Sequence, residues 1–204
     1  RVSSSAASDV YKRQLLGFLS WFFTKDNKQE LSLSDGFVIT VLFWIVLSVS
    51  GSIPFLLFGF GIVDSFFESM SGITTTGATV ISGLDDLPKS LLIYRQLLQW
   101  LGGMGLIVLA IAVMPLLGIG GGQLFKTQTP GPMSEQRLTP RITSTARALW
   151  SIYFVLTVLC IFAYRLAGMN NFDAVSHAFS TVSIGGFSTH DLSIGFFDSL
   201  SIEI

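Results

Sequence analysis

Charge is scarce in this chain. Of 204 residues only 12% are Asp, Glu, Lys or Arg, whereas a soluble domain carries about 25%. That deficit argues against an ordinary soluble domain. The 12 basic residues do not outnumber the 13 acidic ones, so a basic nucleic-acid surface is excluded. There is one cysteine, Cys160. It excludes an internal disulfide and reads as a small lipid- or core-facing residue inside an apolar run. The two histidines, His177 and His190, have no metal-ligand spacing around them. Gly120-Gly121-Gly122 lacks the strand-to-helix setting that a phosphate-binding loop requires, so no nucleotide or organic cofactor is expected.

Apolar sequence is abundant. Half of the residues are hydrophobic and the mean hydropathy is +0.64, which points to membrane integration. Residues 1–14 are Ser-rich and aperiodic and read as a non-native or disordered leader, not a signal peptide. Residues 15–24 read as the end of a preceding transmembrane helix. Residues 24–35 are charged and loop-like. No charge occurs from Gly36 to Val63 or from Gln96 to Gln123. Each stretch exceeds the roughly 20 residues that a bilayer span needs. Ala148–Tyr164 is a third span, extendable at both ends. The chain stops at Ile204 without an ending signal and reads as a fragment.

Two shorter segments are more informative. Asp64–Ile73 and Asn170–Thr181 reach only about halfway across a bilayer at roughly 1.5 Å per residue. They fit re-entrant half-helices, or alternatively interfacial helices, and Asp64 can cap the first. Each runs into small or hydroxyl residues that close on glycine: Thr74-Thr75-Thr76-Gly77-Ala78-Thr79, and Val182-Ser183-Ile184-Gly185-Gly186-Phe187. Gly77 and Gly185 lie 108 positions apart. At that offset almost no other residue is identical, so the repeat lives in hydropathy and architecture. A dehydrated cation can be held by backbone carbonyls and threonine hydroxyls. Glycine allows the required backbone, and a half-helix ending in the membrane turns its negative dipole end to the ion. The chain is therefore read as all-α and polytopic, with repeated helix, half-helix, loop and helix units around an ion pathway.

The basic stretches 24–35 and 124–147 carry Lys25, Lys28, Lys126, Arg137, Arg141 and Arg147, against Lys89, Arg95 and Arg165 opposite. The positive-inside rule makes 124–147 a cytoplasmic linker. Glu68 either faces water at the pore mouth or biases an outer vestibule negative. Asp85-Asp86 read as a solvated outer loop. Arg95 reads as snorkelling or pairing with an acid. Gly102, Gly103 and Gly105 read as helix-packing positions. His177 and His190-Asp191 look isolated. Two other functions compete. An acyl-transfer enzyme would use Ser180 with His177 or His190 and Asp173 or Asp191, but no nucleophile elbow supports it. A secondary carrier of another solute also uses broken helices.

Phe66–Thr79 closely resembles the first filter of the TrkH/KtrB superfamily of potassium transporters. The likeness continues through Tyr94–Gly105, Pro130-Gly131-Pro132 and Ile184–Asp191, and the TrkH branch fits better than KtrB. The resemblance implies a potassium-channel-like fold of four helix–half-helix–helix repeats. Residues 36–123 would be repeat one and 148–204 an incomplete repeat two, unable to conduct alone. It implies a potassium-binding filter of Thr75, Thr76, Gly77, Ser183, Ile184 and Gly185, with no catalytic residues and no metal beyond the monovalent cation. Gly77, where sodium-favouring plant relatives carry serine, leans toward potassium. The transported ligand would be potassium, moved across the bacterial cytoplasmic (inner) membrane. The partners implied are membrane lipid, a second copy in a full-length homodimer, and a TrkA-type nucleotide-binding cytoplasmic regulatory subunit docking on 124–147.

Overall fold

The computed structural model describes residues 33–113 and 138–203. The chain divides into two compact units, residues 1–35 and 36–204, and all packing below lies within the second. The expectations for residues 1–32, Gly120–Gly122 and 124–137, Pro130–Pro132 included, lie outside the described residues, and the last ten residues of the expected linker 124–147 are helical. Every regular element among the described residues is helical: α1 (Leu33–Phe58), α2 (Ile62–Ile73), α3 (Lys89–Val113), α4 (Leu138–Leu166), α5 (Asn171–Val182) and α6 (Leu200–Glu203), with 3₁₀ turns at Leu84–Asp86 and Ser193–Phe197.

Two helices, over Ser34–Phe58 and Ser144–Leu166, are long and apolar enough to cross a membrane. Their side chains suit lipid on most of the circumference. Phe37, Val41, Leu42, Val46 and Val49 of α1 are exposed, as are Phe154, Val155, Leu159 and Phe162 of α4. A helix apolar all round has to meet lipid or a large core. Pro54 lies inside α1, and the nearby Gly51 carbonyl receives the Tyr94 hydroxyl at 2.8 Å.

The two half-helices appear as separate 12-residue elements, α2 and α5. The first opens after Gly59, whose φ of +100° reverses the chain out of α1. Gly61 occupies the cap position. Asp64 sits in the first turn instead, where its charge still complements the helix dipole. The second opens on Asn170, whose side-chain carbonyl accepts from the Asp173 amide at 3.0 Å.

α3 starts at Lys89, seven residues ahead of the charge-free run that marked it in sequence. The added turns bury one side: Leu91, Leu92 and Arg95 are within 5% of full burial, while Lys89 and Ser90 are exposed. α4 likewise starts ten residues before Ala148, with Pro140 in its first turn, where a missing amide costs nothing.

α3 is the hub, packing against α2, α4 and α5. Its glycines allow this. A Cβ at Gly102 would overlap the Ile73 carbonyl at the end of α2, and one at Gly103 would lie 2.9 Å from the Ser183 Cβ. Trp100 packs against Tyr153 and Phe179 and donates to Thr157 Oγ1 at 3.0 Å. A core of Phe55, Ile73, Ile81, Leu84, Leu91, Leu92 and Leu98 closes the first repeat.

Candidate functional site: the paired half-helix loops

Both half-helices end in the same way. After α2, the Thr75 amide donates to Gly72 O at 3.0 Å and the Thr76 amide to Ser71 O at 2.9 Å. After α5, the Ile184 amide donates to Thr181 O at 3.0 Å and the Gly185 amide to Ser180 O at 2.8 Å. This left-handed helix cap satisfies the last free carbonyls. The left-handed residue is usually glycine, yet here it is Thr75 in one loop and Ile184 in the other, both at φ +57°. A β-branched residue there is a genuine outlier, of a kind concentrated at functional sites. The strain turns the chain sharply, and Ile184 is left 90% exposed.

These bonds set the register of the repeat. Position 62 corresponds to 171 and 73 to 182, an offset of 109. The counterpart of Gly77 (φ +77°) is therefore Gly186 (φ +82°), and Gly185 corresponds to Thr76. The 108-residue spacing of Gly77 and Gly185 is true of the sequence but is not the structural equivalence. At 109 further pairs emerge, including Asp64 with Asp173, Ser71 with Ser180 and Thr79 with Ser188.

The loops meet at their backbones. A Cβ on Gly77 would collide with the Gly185 carbonyl oxygen, and one on Gly185 with the Gln99 amide. Only glycine fits at either place. Buried Gln99 of α3 holds the second loop: its Nε2 donates to Gly185 O at 2.7 Å, and its Oε1 accepts from Ser180 Oγ at 2.8 Å and from the Phe187 amide at 3.1 Å. Ser183 is the cap residue, with its hydroxyl turned back to Phe179 O at 2.8 Å. Thr74 Oγ1 does the same with Met70 O at 2.7 Å. Among the described residues, no hydrogen bond reaches the carbonyls of Thr75, Thr76, Gly77, Ile184 or Gly186. Those oxygens, at the negative ends of two helix dipoles, are free to meet a cation.

Behind the loops lies a buried polar layer that sequence reasoning missed. Glu68 faces neither water nor a vestibule: it is fully buried and accepts from Arg95 Nε at 2.8 Å and from Thr79 Oγ1 at 2.9 Å. Arg95, also fully buried, pairs with that acid and does not snorkel. His177, far from isolated, bonds Asp173 O at 2.9 Å and Ser188 Oγ at 3.0 Å. Because the carbonyl can only accept, His177 Nδ1 donates to it and Nε2 accepts the serine proton. Ser180 turns to Gln99, so Ser180 and His177 form no nucleophile–base pair.

The outer loops are tied as well. His190 lies between Asp85 and Asp173 and stacks on Phe196. Asp191 accepts from the Gly83 and Leu84 amides at 3.1 and 3.0 Å. The hydrogen bond from His190 holds the Asp85 carboxyl below its ordinary range. Asp85 is exposed as expected, but it anchors the second repeat's loop.

Residues 4–204 match the TrkH family, described as cation transport proteins. The chain is 57% identical over 191 residues to the Trk system potassium uptake protein TrkH of Vibrio parahaemolyticus, covering 92% of this chain and 39% of that one. It is 53% identical to the protein of the same name from Escherichia coli K12, covering 92% and 40%. Its fold matches the crystal structure of the potassium transporter TrkH from Vibrio parahaemolyticus with a TM-score of 0.76 and 54% identity, over 92% of this chain and 37% of that one. The chain thus spans about two fifths of the length of these curated relatives. They are named as transporters, not enzymes, and the words "Trk system" denote more than one component. With its family match running from residue 4 to 204 and its helices following the TrkH structure, the chain belongs to the TrkH family of cation transport proteins.

Proposed function

We propose that this chain supplies two of the ion-coordinating segments of a potassium uptake pore, as part of the pore-forming subunit of a Trk-type system. The observation that carries the reading is the pair of half-helices ending in identical left-handed caps, with Gly77 set directly against the Gly185 backbone. A side-chain pocket would select a solute by its functional groups. These loops offer carbonyls that no hydrogen bond reaches among the described residues, which suit a dehydrated monovalent cation.

In this reading Thr75, Thr76, Gly77, Ser183, Ile184 and Gly185 line the ion path, and Gly186 joins them as the partner of Gly77. Gly185 meets the ion only with its second lone pair, because the first receives Gln99. The remaining coordination comes from repeats outside this chain, in a multi-pass protein of the bacterial inner membrane. A second copy and a cytoplasmic nucleotide-binding regulatory subunit complete the assembly, with 124–147 as its docking stretch. The reading is tested by Gly77→Ser in the full-length parent, with rubidium uptake measured against competing sodium. Weaker discrimination is expected, because a side chain at Gly77 must displace the Gly185 carbonyl. Unchanged discrimination would remove Gly77 from the filter.

A further inference from the structure

The two loops are clamped from behind by one side chain. Arg95 NH1 donates to the Ser188 carbonyl of the second loop at 3.1 Å, and NH2 donates to Thr79 Oγ1 of the first at 3.1 Å. Nε and NH2 hold Glu68 on α2 at 2.8 and 2.7 Å. The guanidinium lies 4.4 Å from the centre of the Phe187 ring, in the second loop. A single buried fork therefore touches the first half-helix and both loops.

The 109-residue equivalence sharpens this. Thr79 Oγ1 donates to Glu68 and accepts from the Ile81 amide at 3.1 Å; Ser188 Oγ donates to His177 and accepts from the His190 amide at 3.1 Å. In each loop one hydroxyl thus bonds a polar residue of its own half-helix at the matched positions 68 and 177, alongside the bonds of Ser71 to Ala78 O and of Thr189 to Asp173. Of positions 68 and 177 only the first is an acid, and it alone can recruit Arg95. Repeat one consequently carries the strut that sets its spacing from repeat two.

We infer that Arg95, held by Glu68, is a positioning residue for ion selectivity: it fixes the separation of the Gly77 and Gly186 loops from the side away from the ion. This rests on the pore reading above. The filter discriminates by carbonyl spacing, and a loop free to move accepts a smaller cation. Lysine would keep the charge beside Glu68. Its ammonium is a point donor, however, and cannot serve Glu68, Thr79 and Ser188 from the spread positions of a planar fork.

The test uses the full-length parent in cells lacking their own potassium uptake, with Arg95→Lys and Thr79→Val compared at matched membrane abundance. The readout is the ratio of rubidium to sodium uptake. The expected result is a ratio lower by about tenfold in Arg95→Lys, as for one lost charge-assisted hydrogen bond, and a smaller fall in the same direction in Thr79→Val. A merely structural residue would lower both fluxes together, and an unchanged ratio overturns the inference. If Arg95→Lys does not reach the membrane, Thr79→Val decides in the same terms, because it leaves the Glu68–Arg95 pair in place. Gly77→Asp in the same cells separates the two claims. Uptake surviving there overturns the pore reading itself, whereas uptake lost there with unchanged ratios elsewhere overturns only the role of Arg95.

Discussion

Gln99→Leu should loosen the second loop without dissolving the fold. Leucine matches the glutamine in size but removes three hydrogen bonds, to Gly185 O, Ser180 Oγ and the Phe187 amide. Ser180 can redirect its hydroxyl to a carbonyl one turn back, so its loss is cheap. The Gly185 carbonyl and the Phe187 amide are buried at the loop, and among the described residues Gln99 is the protein partner that either of them finds. A buried polar group left unpaired costs about 1–3 kcal/mol, so the local penalty is about 2–6 kcal/mol. That is a large share of an ordinary domain's stability of about 5–15 kcal/mol. It falls on one loop, however, and the loop opens before the helices separate. Hydrogen exchange of a peptide covering 183–190, in the full-length parent in detergent, reads this directly. Each 1.4 kcal/mol is tenfold in an equilibrium constant, so protection at Phe187 should drop by roughly 30-fold or more. Unchanged protection would refute the claim that Gln99 holds the loop.

Other outcomes follow from the same contacts. Gly102→Ala places a Cβ on the Ile73 carbonyl and should destabilise the protein by about 1–3 kcal/mol through overpacking, seen as a lower thermal midpoint by size-exclusion. Asp191→Ala removes the acceptor for the Gly83 and Leu84 amides and should cost about 1 kcal/mol, as a lost cap does, with faster exchange over residues 83–87. Asp85 is more acidic folded than unfolded because His190 bonds its carboxylate. Its contribution is present above the unfolded value of 3.8 and lost as pH falls through the folded one. The difference in thermal midpoint between the parent and Asp85→Asn should therefore be small at neutral pH, this being an exposed group, should begin to shrink only as pH falls below the unfolded value of 3.8, and should vanish once pH is below the folded value. A difference that grew in acid would contradict the assignment.

Much of this was legible in sequence because it depends on length and local chemistry. Segments too short to span, such as Asp64–Ile73, announce half-helices whatever they pack against. The register was not legible. Gly185-Gly186 offers two partners for the single Gly77, and hydropathy cannot choose between neighbours. The backbone chooses, through the sign of φ at Thr75 and Ile184. Glu68 and Arg95 each stand out in sequence, but an acid in an apolar segment reads as water-facing until its counter-ion, 27 residues on, is brought to it by the packing of α2 on α3. Gln99, an uncharged polar residue in a charge-free span, carries no sequence signal of its role, although an amide buried there has to find partners. α3 and α4 start ahead of their charge-free runs for a related reason: their first turns carry Lys89 and Arg141, and a charge in sequence looks like a helix boundary.

The most direct test of the ion-path account is rubidium uptake by cells lacking their own potassium uptake and expressing the full-length parent with or without Gly77→Asp. The glycine has no room for a side chain against the Gly185 carbonyl, and a carboxylate there would both displace that loop and trap the cation. The account predicts uptake lost at equal membrane expression. Uptake at the parent's rate would mean that the paired loops are structural caps and that the ion passes elsewhere.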